Sequence, residues 1–348
     1  MSRKSGDDHL KPFDVLALGE VLLRLSPPVN ERLTRGNLFE KKVGGAELNV
    51  MSGISLLGLR TGIISRLPAN DIGTYAKNKI RYYGVSDDYL IYDYGDGARI
   101  GIYFYENGAS PRKPRVVYDR KYTSMDGINC AEFPEKLYDA TRCFHTSGIT
   151  LAISKETRMC AFEMIKKFKS SGALISFDVN FRANLWTGKE AKECIEEILP
   201  FVDIFFCSEE TARLTFGKEG DLYSIMREFT DEYPIRIVAS TKRIVHSPKI
   251  HSFSSVIYDK KKDCYYAEKP YENIDVIDRI GSGDAYVAGA LYGLLSEKGS
   301  CEKALMYGNA YSALKDTVPG DLPTSDLKEV QNTIAAHQSN DAQPEMER

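Results

Sequence analysis

The stretch Ile277-Asp278-Arg279-Ile280-Gly281-Ser282-Gly283-Asp284-Ala285-Tyr286 lies near the carboxyl end of the chain, and the rest of the sequence is organised around it. Its two glycines allow backbone angles that other residues resist, so a turn is predicted at residues 281–283. Residues with helical spacing follow this turn at Val287, Ala290, Leu291 and Leu294. The free N–H groups at such a helix start carry a partial positive charge and favour an anion.

Asp284 stands in the first turn of this predicted helix, and the local pattern leaves two interpretations open. A carboxylate in that place can cap the helix, which is the more common role. It can also accept the proton of a hydroxyl group that attacks a phosphate held by the same N–H groups. Because glycine turns before helices are common, the cap is favoured until other parts of the chain are considered.

The composition is that of an ordinary globular protein. The 348 residues carry a net charge of -3, with 43% hydrophobic and 27% charged residues, which gives no reason to expect a nucleic-acid or membrane partner. Residues 1–11 lack the apolar core of a signal peptide. The seven cysteines form no Cys-x-x-Cys pair and the five histidines show no ligand spacing, so we expect reduced thiols in a cytoplasmic protein and no Cys/His metal site.

Strand-like and helix-like segments alternate along most of the chain. This alternation predicts an α/β fold with a mostly parallel sheet covered by helices on both faces. In such sheets, ligands bind at the carboxyl ends of the strands. Polar residues follow the predicted strand ends, and we expect them to converge on one crevice. They are Asp178, Asn180, Ser208, Ser240 and Asp284.

Two further segments carry candidate binding residues. Gly44-Gly45 opens a predicted helix that runs to Leu57, with Asn49 in its first turn; these glycines are either a plain turn or a place where the backbone approaches a ligand closely. Residues 100–105 and 115–120 predict two antiparallel strands. Their polar side chains are either exposed on a ribbon or form one wall of a pocket. The last helix is predicted at 301–314, and residues 337–348 are expected to be a disordered tail.

The two glycine motifs together resemble those of the ribokinase-like (PfkB) carbohydrate kinases. The resemblance rests on Asp278 to Asp284 before a small-residue helix, and on Gly44-Gly45 with Asn49, and it covers roughly residues 15–330. It implies one kinase domain at 12–336, built as a three-layer α/β sandwich with a small β-sheet lid from about 20–45 and 97–122. A homo-oligomer formed through the lid sheet is a further expectation.

Within that family the chain looks most like the 2-keto-3-deoxygluconate kinases. The segments that carry this similarity are Gly45 to Asn49, Tyr118 to Lys121, His145 to Ala152, and Phe177 to Arg182 followed by Leu185-Trp186. The resemblance implies an ATP-dependent kinase that phosphorylates the terminal hydroxyl of 2-keto-3-deoxygluconate, giving the 6-phosphate, with Mg²⁺ bound to the ATP phosphates. It leaves open whether a monovalent cation such as K⁺ binds as well.

The resemblance also implies roles for individual residues. Asp284 would be the base, and the backbone N–H groups of Gly281, Ser282 and Gly283 would hold the transferring phosphoryl group. The sugar pocket would be formed by Gly45, Asn49, Tyr103, Tyr118, Arg120 and Arg182. Nucleotide contacts would come from Asn180, Ser208, Ser240, Lys242, Arg243, Gly281, Gly283 and Asn309. Two pocket arginines suit an acid substrate, because a guanidinium matches the geometry of a carboxylate.

The chain departs from the family pattern at two places. Many members carry Asn-x-x-Glu after a central strand, where this chain has Ser208 and Thr211, so Glu209 or Glu210 would have to substitute. The strand-loop at residues 240–243 contains no glycine. The alternatives kept open are a kinase of another sugar, such as a fructokinase, and a non-catalytic sugar-binding relative. A dinucleotide oxidoreductase is disfavoured, because Gly44-Gly45 does not supply Gly-x-Gly-x-x-Gly after the first strand.

Overall fold

The structure, a computed structural model, describes residues 11–29 and 31–339. The strands are β1 (Phe13–Leu18), β2 (Leu22–Ser26), β3 (Glu40–Gly44), β4 (Thr61–Pro68), β5 (Ser86–Asp93), β6 (Gly101–Glu106), β7 (Arg115–Asp119), β8 (Thr141–Ser147), β9 (Leu174–Asp178), β10 (Ile204–Phe206), β11 (Ile237–Ser247), β12 (Ile250–Asp259), β13 (Cys264–Ala267) and β14 (Tyr271–Asp275).

The α-helices lie mostly between these strands. They are α1 (Ala46–Leu56), α2 (Asp71–Tyr82), α3 (Gly148–Ile153), α4 (Lys155–Ser170), α5 (Gly188–Glu196), α6 (Glu209–Phe216), α7 (Leu222–Glu232), α8 (Ser282–Leu295), α9 (Cys301–Asp316) and α10 (Leu327–Gln338). Short 3-10 helices occupy Ser124–Gly127, Cys130–Glu132, Glu135–Asp139 and Leu199–Phe201. None of the helices in the described ranges is long and apolar enough to cross a bilayer.

A large sheet forms the centre of the fold. Over the residues that the structure covers it has ten strands, in the order β13-β12-β11-β10-β9-β8-β1-β4-β5, with β14 pairing to β12. The pairs from β5 to β11 are parallel and those of β12 are antiparallel. The predicted mostly parallel sheet is therefore confirmed, with an antiparallel edge added.

The faces of the large sheet are covered by two different hydrophobic cores. Along β1, Val15 and Ala17 join one core cluster, while Leu16 and Leu18 join the other. This division follows from the alternation of side chains along a strand. Helices α1, α2, α8, α9 and α10 contribute to the first cluster, and α4, α5 and α7 to the second. The predicted three-layer sandwich results.

A second, smaller sheet lies apart from the large one, in the order β3-β2-β6-β7. The β2–β6 pair is parallel and the two outer pairs are antiparallel. All four strands fall within the ranges expected for the lid. All five residues of β7 are exposed. No buried face therefore fixes its register, which is given by its pairing with β6.

Several predicted limits differ from the structure, and α9 runs to Asp316 instead of ending at 314. Strand β11 runs to Ser247 instead of ending at 240, because the antiparallel partner β12 supplies backbone hydrogen bonds to this polar extension. Helix α10 was not predicted; it is short and capped by Asp326, with only Val330 and Ile334 buried. It includes the first two residues of the expected disordered tail, and residues 340–348 of that tail lie outside the described residues.

Candidate active site

A cleft of about 1020 Å³ takes its walls from both sheets. The large sheet contributes residues at the carboxyl ends of its parallel strands, and the small sheet contributes Leu22, Tyr103, Val116 and Tyr118. All the polar residues that were expected to converge line this cleft, namely Asp178, Asn180, Ser208, Ser240 and Asp284. Ser240 does so from inside β11 rather than from its end.

Two helix starts open into the cleft without a side-chain cap. Within the described chain, eight of the ten α-helices begin at a residue whose side chain accepts a backbone N–H. The exceptions are α1, which begins after Gly45, and α8, which begins after Gly281. Both glycines line the cleft. The first-turn N–H groups of both helices are therefore available to a ligand.

Gly281 is required by the backbone. Its φ of 83° lies in the left-handed region, and a Cβ at this position would stand 1.9 Å from the carbonyl oxygen of Asp321. Gly283 differs, because a Cβ there would meet nothing within 4 Å. Since Gly283 lines the cleft, its missing side chain leaves room on the ligand side of the turn.

Asp284 lies in the first turn of α8 and is 9% exposed. Its Oδ2 accepts a hydrogen bond of 2.7 Å from Nδ2 of Asn49 on α1. Burial raises the pKa of Asp284 to about 6, while the Asn49 hydrogen bond and the charge of Arg182 act in the opposite direction. A carboxylate with a pKa in this range can accept a proton near neutral pH and release it again.

A buried ion network holds the loop that leads to α8. The guanidinium of Arg24 donates to Asp278 and to Asp321, the latter at 2.7 Å. The side chain of Asp278 also accepts the backbone N–H of Ile280 at 3.1 Å and of Gly320 at 3.0 Å. This role of Arg24 was not predicted, because its partners Asp278 and Asp321 lie 254 and 297 residues away along the chain.

The residues that were predicted to form the sugar pocket all line the cleft, namely Gly45, Asn49, Tyr103, Tyr118, Arg120 and Arg182. Tyr103 is buried and donates its hydroxyl to Asp321, so it stiffens the wall. The Tyr118 ring is 41% exposed and lies 5.8 Å from the Tyr103 ring. An aromatic face of this kind can pack against the C–H face of a sugar.

The two pocket arginines are not equivalent. Arg120 forms an ion pair with Glu20, and both side chains are buried. Burial raises the pKa of Glu20, although the charge of Arg120 opposes this. Arg182 is exposed to the cleft and, among the described residues, makes no salt bridge. Arg182 is therefore the arginine that is available to a substrate carboxylate, and Glu20 is a partner that the sequence analysis missed.

Asp178 and Glu47 are two further acidic residues that line the cleft. Burial and the nearby charge of Asp284 raise the pKa of Asp178 to about 7. Its Oδ1 accepts the backbone N–H of Asn180 at 3.0 Å, and Asn180 itself adopts a positive φ of 35°. Glu47 is buried and accepts hydrogen bonds from Ser147 at 2.6 Å and Thr150 at 2.7 Å.

The predicted nucleotide contacts are brought together only in part. Asn180, Ser208, Ser240, Lys242, Arg243, Gly281 and Gly283 line the cleft, whereas Asn309 does not. Ser282, which was predicted to hold the transferring phosphoryl group, does not line the cleft either. Asn309 is fully buried, with hydrogen bonds to Ser255 and Glu268. The Ser282 hydroxyl is also buried, against Ser312 and Arg243, and its N–H makes a long bond of 3.4 Å to Arg279.

Positive charge surrounds the start of α8. Nη2 of Arg243 donates to the Ser282 hydroxyl at 3.0 Å, so its charge lies next to the glycine turn. Lys242 and Arg279 are exposed and line the same part of the cleft. Arg279 was missed, although its place two residues before Gly281 was a usable signal. Together with the turn, these cations suit a polyphosphate.

The place of the expected Asn-x-x-Glu is occupied by two hydroxyls that bond to each other. Ser208 caps α6 by accepting the N–H of Thr211, and its hydroxyl lies 2.9 Å from that of Thr211. Glu209 pairs with Arg213 at 2.6 Å. Glu210 and Asp178 are the remaining acidic residues in this part of the cleft. They fit Mg²⁺, which is usually held by one or two carboxylates together with substrate phosphates.

Comparison with known proteins finds a carbohydrate kinase family whose profile matches nearly the whole chain. The profile of the pfkB family carbohydrate kinases matches residues 13–326. The 2-dehydro-3-deoxygalactonokinase of Haloferax volcanii is 31% identical over 321 residues, which is 92% of this chain and 96% of that protein. The probable fructokinase-6, chloroplastic, of Arabidopsis thaliana is 27% identical over 338 residues, 93% of this chain and 82% of that protein.

Among solved structures, the crystal structure of 2-dehydro-3-deoxygluconokinase from Thermotoga maritima matches with a TM-score of 0.88 and 33% identity. It covers 93% of this chain and 99% of that chain. The similarity therefore includes both sheets and the cleft between them, rather than a single motif.

Proposed function

The chain belongs to the pfkB family of carbohydrate kinases, as its glycine motifs predicted, and from this premise we propose a substrate and a mechanism. The chain is a sugar-acid kinase related to 2-dehydro-3-deoxygluconokinases. We propose that it transfers the γ-phosphoryl group of ATP to the terminal hydroxyl of 2-keto-3-deoxygluconate, giving 2-keto-3-deoxy-6-phosphogluconate and ADP. A cytoplasmic location and assembly through the small sheet stay predictions.

One observation supports this proposal above the others. Asp284 lies in the first turn of the uncapped helix α8 and is held by Asn49 from the uncapped helix α1. A potential base, an anion site and a site for polar groups thus share one cleft. This arrangement reverses the preference for a simple helix cap, because the Asp284 carboxylate bonds to a side chain of another helix.

The residues of this chain divide the chemistry as follows. Asp284 accepts the proton of the terminal hydroxyl through Oδ1, since Asn49 occupies Oδ2. The hydroxyl oxygen then bonds to the γ-phosphorus as the bond to the β–γ bridging oxygen breaks. The N–H groups of Gly281 and Gly283, which line the cleft, stabilise the charge on the transferring group, helped by Arg243. Glu210 and Asp178, which line the cleft, would hold Mg²⁺, and the metal would neutralise part of the charge on the ATP phosphates.

Substrate preference is assigned to the sugar side of the cleft. Arg182 binds the carboxylate of the sugar acid, because it faces the cleft and has a guanidinium free to form two parallel hydrogen bonds. Asn49 Oδ1 is buried and has no hydrogen-bond partner among the described residues, so it accepts a hydrogen bond from a sugar hydroxyl. The small sheet covers the sugar and keeps water from acting as the phosphoryl acceptor.

The proposal is tested by a coupled ADP-release screen. The acceptors are 2-keto-3-deoxygluconate, its galacto epimer, 5-keto-2-deoxygluconate and fructose. We expect 2-keto-3-deoxygluconate to give the highest kcat/KM, at least about tenfold above fructose, since fructose has no carboxylate for Arg182. Equal or better use of fructose would contradict the sugar-acid assignment. The galacto epimer is the second candidate, because the Haloferax volcanii relative is named for it.

A further inference from the structure

Lys315 is a lysine whose ammonium lies inside the protein. It belongs to the last turn of α9 and is 1% exposed. Its Nζ donates to two backbone carbonyl oxygens, that of Asp278 at 3.0 Å and that of Val318 at 3.3 Å. Fully buried lysines are rare unless they are paired. The mechanism above does not use Lys315, so its position needs another explanation.

The two carbonyls belong to two loops that meet behind the anion site. Asp278 begins the segment that leads to Gly281, and Val318 lies in the segment between α9 and Asp321. These loops touch directly, because the Gly320 N–H bonds to the Asp278 carboxylate at 3.0 Å and Gly281 packs against the Asp321 carbonyl. The Lys315 ammonium bridges one carbonyl from each loop, and so fixes the distance between them.

The charges around Lys315 favour its ammonium form. Burial lowers the pKa of Lys315, but the carboxylates of Asp278, Asp321 and Asp316 oppose this lowering. Arg24 pairs with two of these carboxylates, Asp278 and Asp321. The charge of Lys315 also reaches the active site, since it is one of the influences that oppose the effect of burial on the pKa of Asp284.

We propose that Lys315 is a positioning residue for phosphoryl transfer, a built-in cation that holds the loop before Gly281 so that the N–H groups of the turn face the phosphoryl group. The proposal rests on the proposed kinase function. Carbonyl oxygens are also the ligands that replace the water shell of a monovalent cation such as K⁺. Because the ammonium already fills the space between these carbonyls, the reaction needs no added monovalent cation.

The inference that the reaction needs no added monovalent cation can be tested on the wild-type protein. Its kinase activity is measured in the chlorides of K⁺, Na⁺ and tetramethylammonium at equal ionic strength. We expect kcat to agree within about twofold in all three, since a filled site gives these ions nothing to bind differentially. Activation by K⁺ of about fivefold or more would overturn the proposal.

Two variants test the positioning role. Lys315→Met keeps the bulk of the chain and removes the charge; we expect kcat to fall by about 100-fold, the order seen when one donor of such a site is lost. The KM for the sugar acid should stay within about threefold, because Lys315 does not contact the sugar pocket. Lys315→Ala leaves space, so K⁺ or NH₄⁺ should restore part of its kcat. The proposal would be contradicted by a wild-type kcat in Lys315→Met. It would also be contradicted if neither K⁺ nor NH₄⁺ raised the kcat of Lys315→Ala.

Lys303→Met on the same helix is the matched control, since Lys303 bonds to Ser296 at 2.8 Å and lies away from the glycine turn. It should behave as wild type. The unfolding temperature gives a readout that needs no substrate: K⁺ in place of tetramethylammonium should raise it in Lys315→Ala but not in wild type. If no sugar acid is phosphorylated, the proposed function fails, and this measurement still decides whether Lys315 fills a cation site.

Discussion

Asn49 donates from Nδ2 to Oδ2 of Asp284 across 2.7 Å, and so joins the two helix starts that open into the cleft. This bond commits one oxygen of the carboxylate and leaves the other for a substrate hydroxyl. It also fixes the amide, whose Oδ1 is then buried without a partner in the described part of the chain. The same contact therefore aligns the proposed sugar site with the proposed base.

The first prediction concerns the base. Asp284→Asn should lower kcat by about 10³-fold, within the range that a general base contributes. Binding of the sugar acid, measured by calorimetry, should persist because the amide keeps the shape of the site. Asp275→Asn, an exposed acid on β14, is the matched control and should be fully active. An Asp284→Asn protein with near-normal kcat would refute the assignment of Asp284 as the base.

The same substitution should stabilise the protein. The folded-state pKa of Asp284 is raised by burial to about 6, so the charged carboxylate destabilises the fold as pH rises from about 4 to about 6. Above that window the free energy of unfolding of Asp284→Asn should exceed that of the wild-type protein by on the order of 2 kcal/mol. The gain should vanish as pH falls below about 4, because the wild-type group then becomes neutral in both the folded and the unfolded state. Urea unfolding at several pH values measures this, and a gain independent of pH would contradict it.

The pH dependence of the reaction follows from the same group. Below about pH 6 the protonated Asp284 cannot act as a base, so kcat/KM should fall on the acid side with a midpoint near that value. The Asn49 hydrogen bond and the Arg182 charge both act to lower the pKa of Asp284. Asn49→Ala and Arg182→Met should therefore each move the acid limb to higher pH. A limb that stays in place in both variants would mean that another group titrates.

The glycines of the turn should respond in different ways to the same substitution. Gly281→Ala forces a side chain onto a φ of 83° and against the Asp321 carbonyl, so a loss of stability of about 2 kcal/mol or more is expected. Gly283→Ala places its methyl group in open space facing the cleft. It should fold normally and lose activity, because the methyl group competes with the phosphoryl group. Thermal unfolding and ADP release distinguish the two; equal loss of stability would contradict this account.

The fold was predictable because its signals are local. The apolar strands and the capped helices of the large sheet carry their own patterns of hydrophobic and capping residues. The parts of the fold that could not be predicted depend on contacts with segments distant in sequence, or have weak local patterns. The polar end of β11 is a strand only because β12 pairs with it. Helix α10 has only two buried side chains, so its apolar periodicity is weak.

The candidate site divides in the same way. Residues on the glycine motifs could be placed in the cleft from sequence, because the motif itself fixes their local geometry. Glu20, Arg24 and Asp321 could not, since their roles come from ion pairs between segments that are far apart in the chain. Arg120 illustrates this limit: its sequence context indicated a pocket residue but not its ion pair with the buried Glu20, which stands 100 residues away in the chain.

The last prediction separates the two pocket arginines. Arg182→Met removes the cation that faces the cleft, so the KM for the sugar acid should rise by about 10- to 100-fold, with stability unchanged. Arg120→Met instead leaves the Glu20 carboxylate buried without its partner, which should cost about 3 kcal/mol of folding free energy. Glu20→Gln combined with Arg120→Met should recover part of that loss, because no charge is then left buried. The measurements are acceptor kinetics and urea unfolding. If Arg120→Met instead raised KM at full stability, Arg120 and not Arg182 would be the arginine that binds the substrate.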